Sequence, residues 1–129
     1  MPLTFSKNER LHEFSLIRAL FSTGRTFTIH PLKVTWMKTE AQPGASCRIL
    51  ISVPKAIHRK STERNLLKRR IREAYRLNKS VLSGHGPSGI SSLGFCITYT
   101  SKEILNYKAI QDKIILLLRR LKEESETGS

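Results

Sequence analysis

Apolar residues return at every third or fourth position over residues 7–23, where Leu11, Phe14, Ile17, Leu20 and Phe21 form one stripe. That spacing predicts an amphipathic helix, and Gly24, directly after the last periodic residue, predicts its end. Over residues 27–38 the period drops to two, with Leu32, Val34 and Trp36 on one face and Lys33, Thr35 and Met37 on the other. Such alternation predicts a strand with Pro31 near its start. Gln42-Pro43-Gly44-Ala45 reads as a turn, and residues 47–53 as a second, almost continuously apolar strand. Their closeness in sequence predicts an antiparallel pair joined by a short loop.

A long helix is predicted from Ser61 or Thr62, where a hydroxyl can cap, through residue 79. Residues 83–92, rich in Gly, Ser and Pro, read as a loop, and residues 93–100 as a third strand. Residues 106–123 predict a last helix with Ile110, Ile114, Leu117, Leu118 and Leu121 on one face, and a disordered tail is expected over 123–129. The order α-β-β-α-β-α predicts an α+β (split α/β) two-layer sandwich with a small central sheet, one domain spanning residues 1–122.

Charge narrows the function. With 23 Lys plus Arg against 10 Asp plus Glu, the 129-residue chain carries a formal charge of +13. A field of that sign attracts polyanions, and nucleic acid leads the partners it implies. A membrane surface would draw the same charge, but the longest purely apolar run, residues 114–118, is far too short to span a bilayer. The N-terminal residues lack the apolar core of a secretory signal, so a cytoplasmic location is expected. Cys47 and Cys96 stand in apolar surroundings with no Cys-x-x-Cys or Cys/His spacing, which predicts buried thiols rather than a metal site or disulfide.

The informative segment runs from Glu63 to Arg76, with six cations in fourteen residues. On a helix, Leu67, Ile71 and Ala74 form a narrow stripe to bury, while Arg64, Asn65, Lys68, Arg69, Arg72 and Arg76 sweep round the neighbouring flank. Arg64, Lys68 and Arg72 are each four apart, so their charges climb by about 6 Å per step, similar to phosphate spacing along a strand. Like charges at that spacing repel, and a polyanion removes the cost. A solvated charged face is the competing reading; Glu63 and Glu73 are the only acids in the window, too few for the mixed-sign pattern of such faces.

Arg64-Asn65-x-x-Lys68-Arg69-x-x-Arg72-Glu73 resembles the RNR motif of the bacterial ribonuclease P protein family. Lys7-Asn8-Glu9-Arg10-Leu11, Leu20-Phe21 followed by Gly24, and Val53-Pro54-Lys55 are similar to that family as well. The resemblance implies a left-handed βαβ crossover, against the usual right-handed rule. It further implies a protein subunit whose RNR helix docks on a catalytic RNA, and a cleft between the first helix and the sheet for the single-stranded 5′ leader of precursor tRNA. Phe21 would lie in that cleft with Trp36 as a stacking platform. Ile17, one turn earlier, stands where relatives often carry an aromatic, and Lys55 would add a phosphate contact. For Phe21 and Trp36, plain core packing is the alternative. Lys33, Arg59 and Lys60 are further candidate phosphate contacts, or simply surface charges.

No protein active site is expected. The single aspartate, Asp112, is expected to be buried in the pattern of the last helix, and the nine glutamates are scattered. His12, His30, His58 and His85 fall in different elements without visible partners, as surface or core histidines would. Gly84-His85-Gly86-Pro87-Ser88-Gly89 lacks the Gly-Lys-Ser/Thr ending of a phosphate loop. The resemblance accordingly implies that hydrolysis is performed by metal ions, Mg2+ above all, held on the RNA, and that the protein binds no cofactor itself. A ribosomal-type structural RNA-binding protein is the alternative reading. A DNA-binding helix is disfavoured, because a strand and a polar loop, not a helix and short turn, precede Ser61.

Overall fold

The computed structural model describes residues 14–38, 47–80 and 93–127. The elements run α1 (Phe14–Thr23), β1 (Arg25–Ile29), β2 (Leu32–Lys38), β3 (Cys47–Ser52), α2 (Ser61–Asn78), β4 (Leu93–Tyr99) and α3 (Tyr107–Thr127). The expected α+β class holds, with one four-stranded sheet and three helices among the described residues. Expectations for residues 7–13, the turn at 42–45 and the loop at 83–92 lie outside them.

One expected strand is two. β1 and β2 pair antiparallel from Arg25↔Trp36 to Ile29↔Leu32, leaving His30 and Pro31 as a two-residue turn. The His30–Pro31 peptide is cis. Pro31 offers no N–H to a ladder, so a strand does not run through it. Its carbonyl still accepts the Thr100 N–H at 2.8 Å, tying the turn to the exit of β4.

The sheet order is β1-β2-β4-β3. The antiparallel pair expected across residues 42–45 therefore does not form: β4 lies between, antiparallel to β2 and parallel to β3. Parallel neighbours need a crossover, and α2 supplies it. As an inner strand, β4 is buried on both faces, which is why Leu93-Gly94-Phe95-Cys96-Ile97 is apolar without alternation.

Helices cover both faces of the sheet rather than one. α2 and α3 enclose the main core, where Leu32, Val34, Trp36, Phe95 and Ile97 meet Leu67, Ile71, Ile114 and Leu118. α1 lies on the other face, where Leu20 meets Cys96 with Met37 and Leu50 alongside. Gly24 makes that approach possible: its N–H donates to the Leu20 carbonyl at 2.9 Å, and a Cβ would sit 2.4 Å from that oxygen and 3.0 Å from the Trp36 carbonyl.

Two helix ends differ from expectation. α2 is preceded by Lys60, and no side chain caps it; Glu63 in the first turn complements the positive end of the helix instead. α3 begins as expected, with Asn106 Oδ1 accepting the Ala109 N–H at 2.9 Å, but continues to Thr127, so residues 123–127 are helical rather than a tail. Glu124 explains the extension. Its carboxylate accepts from Arg120 Nε at 2.8 Å and from Trp36 Nε1 at 3.3 Å, anchoring the last turns to the sheet.

Candidate nucleic-acid interface

α2 buries Leu67, Ile71, Ala74 and Tyr75 and leaves Asn65, Arg69 and Arg72 exposed. The row Arg64, Lys68, Arg72, Arg76 does not run straight along the axis. Each four-residue step advances about 40° round the helix, so the row starts beside the buried stripe and ends on the outer side. Its members accordingly have different surroundings.

Arg64, at the core edge, is half-buried, and its Nη1 donates to the carbonyls of His58 at 2.9 Å and Arg59 at 2.8 Å. Bonds to the chain entering the helix hold the guanidinium still. Arg76, at the far end, pairs with Glu73 through two hydrogen bonds, one of them from Nε at 3.2 Å. That hydrogen bonding holds the Glu73 carboxyl below the usual carboxylate range and raises Arg76 in turn. Burial pushes the nearby Tyr107 phenol up, and among the described residues its hydroxyl finds no hydrogen-bond partner. Arg70, the cation left out of the flank, donates to the Leu105 carbonyl and so braces α2 against the entry to α3.

His58 lies beneath the start of α2, 3% exposed. A carbonyl only accepts, so the 2.7 Å contact with the Ser101 oxygen requires the proton on Nε2. Nδ1 then faces the Glu63 carboxylate at 3.8 Å, and the ring packs on Tyr99 at 5.7 Å between centroids. His58 is a core histidine with partners that its sequence context did not reveal. Lys55, Arg59 and Lys60 stand exposed on the same connection.

The sheet face carrying α1 offers a second surface. Strand registers place Thr28, Lys33, Thr98 and Ser52 in one row across all four strands. The adjacent row is Thr26, Thr35, Cys96 and Leu50, whose inner members meet α1. Thr28 and Lys33 are exposed and Thr98 and Ser52 half-buried, so a polar strip runs beside the helix. Parity alone would not have found this row, because Thr28 and Lys33 differ in parity and only the hairpin between β1 and β2 brings them to one face.

Phe21 is 58% exposed on α1, available to stack rather than engaged in core packing. Trp36 is the opposite case. It is 2% exposed and lies in the row Arg25, Trp36, Phe95, Ile49 on the face of α2 and α3, so it cannot join Phe21 in a cleft. The same alternation that groups Trp36 with Leu32 and Val34 turns it away from Lys33. Arg25 sits over its ring at 5.9 Å. Ile17 belongs to α1, and its side chain lies outside the described ones.

Asp112, expected to be buried, is exposed and pairs with Lys108 at 3.2 Å, because it falls on the outer face of α3. Burial pushes the Cys96 thiol up, partly offset by its contact with Thr98. Among the described residues no three His, Cys, Asp or Glu side chains gather as a metal site, and no helix is long and apolar enough to cross a membrane.

Comparison with known proteins converges on one description. A family model described as Ribonuclease P matches residues 5–122. The ribonuclease P protein components of two Porphyromonas gingivalis strains are each 40% identical over 84 residues, 64% of this chain and 61% of theirs. The aligned stretch thus spans under two thirds of these relatives' length. Among solved structures, the ribonuclease P protein of Thermotoga maritima superposes with a TM-score of 0.69 at 25% identity, covering 87% of this chain and 96% of that one. The Staphylococcus aureus ribonuclease P protein gives 0.68 at 20% identity, over 88% and 95%. The last likeness is one of fold.

Proposed function

Since the chain belongs to the ribonuclease P protein family, we propose that it is the protein subunit of a bacterial ribonuclease P, binding the catalytic RNA through α2. The observation that carries this reading is α2 itself. A helix fixed by four buried residues, and braced at Arg64 and Arg70, presents a cationic flank at phosphate-like spacing. Arginine suits the task, because its planar fork holds phosphate bidentately. Within that flank, Arg64, Asn65, Lys68, Arg69, Arg72 and Arg76 are assigned to the RNA, with Arg64 and Arg76 held in place by their bonds to the protein.

Precursor tRNA is the substrate, and its unpaired 5′ leader crosses the opposite sheet face. There the strip Thr28, Lys33, Thr98, Ser52 offers hydroxyls and one cation, and Phe21 offers a ring on which a base stacks without sequence preference. Lys55 lies at the exit of β3, the end where the strip reaches Ser52. The chain is thus gripped on one side by the catalytic RNA and holds substrate on the other. Mg2+ ions bound by the RNA supply the nucleophile and leaving-group chemistry, and the complex works in the cytoplasm.

Reconstitution tests the proposal. The chain added to the ribonuclease P RNA transcribed from its source genome should raise cleavage of precursor tRNA at the mature 5′ end and favour leader-bearing over mature tRNA. Cleavage at that position by the RNA-free chain would overturn it.

A further inference from the structure

Arg64 does not set its own position. Both carbonyls that hold its guanidinium belong to residues 58 and 59, on the connection between β3 and α2. That connection is a turn, closed by the N–H groups of Ile57 and His58 donating to the Pro54 carbonyl at 3.1 and 3.0 Å. The buried His58 ties the end of this turn to the β4–α3 connection: its Nε2–H donates to the Ser101 carbonyl at 2.7 Å, beyond the end of β4. Beyond Ser101, the Tyr99 hydroxyl donates to the Glu103 carbonyl and accepts the Leu105 N–H at 3.2 Å, and Ser101 Oγ accepts the Glu103 N–H at 3.0 Å, so the β4–α3 connection is itself held in place.

We infer that His58 is a positioning residue for RNA binding: its ring pins the β3–α2 connection to the β4–α3 connection, and its own carbonyl aims Arg64 at the RNA. The inference rests on the reading of α2 as the RNA-binding helix. A histidine fits because the site takes a flat ring against Tyr99 and a donor for the Ser101 carbonyl. An apolar residue of similar size would fill the space and leave the Ser101 carbonyl unpaired. The chain from Pro54 to Lys60 would then shift, and the two acceptors of Arg64 would shift with it.

Coupling separates positioning from general support. Binding of the full chain to the ribonuclease P RNA of its source genome is measured for His58→Phe and His58→Ala, in the native background and with Arg64→Ala or Arg69→Ala. Two substitutions are used so that one folded variant suffices, folding being checked by circular dichroism. The His58 change should weaken binding about fivefold in the native and Arg69→Ala backgrounds, the order expected for one positioned hydrogen bond, and by under about twofold with Arg64→Ala. His58→Gln, which keeps a donor near Nε2, should recover most of the loss. Equal losses in all three backgrounds, or full affinity in a folded His58 variant, overturn the role of His58. An Arg64→Ala chain that binds as tightly as the native one instead overturns the reading of α2 beneath it.

Discussion

Leu20 and Phe21 are consecutive on α1 yet occupy opposite environments: Leu20 is 1% exposed against Cys96, and Phe21 is 58% exposed. The pair assigns one side chain to the fold and frees the other. Phe21→Ala should therefore leave the melting temperature nearly unchanged, as surface substitutions do within about 0.5 kcal/mol. It should cost discrimination between leader-bearing and mature tRNA, with stacking on one base worth about 1–3 kcal/mol. Equal weakening on both substrates with a lower melting temperature would return Phe21 to the core.

Trp36 is predicted to behave in the reverse manner. It fills the interior between the sheet and the two long helices and donates to Glu124. Trp36→Ala should cost about 3–5 kcal/mol in urea denaturation, in the range of large-to-small core substitutions. The folded fraction should bind leader-bearing and mature tRNA in the native ratio. A folded variant of native stability with a selective leader defect would contradict the burial argument.

These two aromatics show what was legible in the chain. Periodicity alone located α2, β4 and α3, because long segments with one apolar stripe or an apolar run leave little choice. The cations of α2 were visible for the same reason. What escaped was non-local. Pro31 lies within an alternating stretch, and only the pairing of Arg25 with Trp36 shows that it turns a hairpin. The insertion of β4 between β2 and β3 depends on both faces of the sheet being covered, a tertiary matter. For Trp36 the core-packing alternative holds, and which face α1 covers is settled only by tertiary packing. His58 and Glu124 gave no signal, since their partners Ser101 and Trp36 are distant in sequence.

Gly24 should tolerate no side chain. A Cβ would meet the Leu20 carbonyl at 2.4 Å, and that backbone atom belongs to the last turns of α1, which cannot yield without lifting the helix from β2. Gly24→Ala should destabilise by about 1–3 kcal/mol, as overpacking does, in contrast to the gain that alanine for glycine gives at unconstrained sites. A thermal melt of the variant checks this. An unchanged or higher midpoint would mean that α1 rests loosely on the sheet.

Alkali should weaken the fold through Cys96. Burial raises its thiol above the ordinary range, so the unfolded chain releases this proton at a lower pH than the folded one. The stabilisation is complete below the unfolded thiol value, about 8.5, and is lost as pH rises toward the folded one. Burial raises Tyr99 as well, which extends the decline toward the phenol range. Urea midpoints followed upward from about pH 8 should fall, and Cys96→Ala, whatever its own stability, should flatten the first part of the fall. A native chain with a flat profile would show that the thiol ionises as freely folded as unfolded.

The cationic row of α2 yields the most direct measurement. Arg64, Lys68 and Arg72 each climb the helix by one step, and the outward drift of the row makes Arg64 the member most engaged with the protein and Arg72 the most exposed. Replacing all three by alanine leaves Leu67, Ile71, Ala74 and Tyr75 in place, so the fold should persist, with a modest loss from the two carbonyls that Arg64 releases. Binding to the catalytic RNA should weaken at physiological salt. Each phosphate contact removed should also reduce the slope of log affinity against log salt by about 0.7–0.9. Single substitutions then sort the row: Arg72→Ala should change slope and affinity, and Arg64→Ala should also lower the melting temperature through the two carbonyls it releases. If the triple variant kept the native slope in a filter-binding titration, these side chains would be meeting water rather than phosphate, and the row would be an ordinary solvated face.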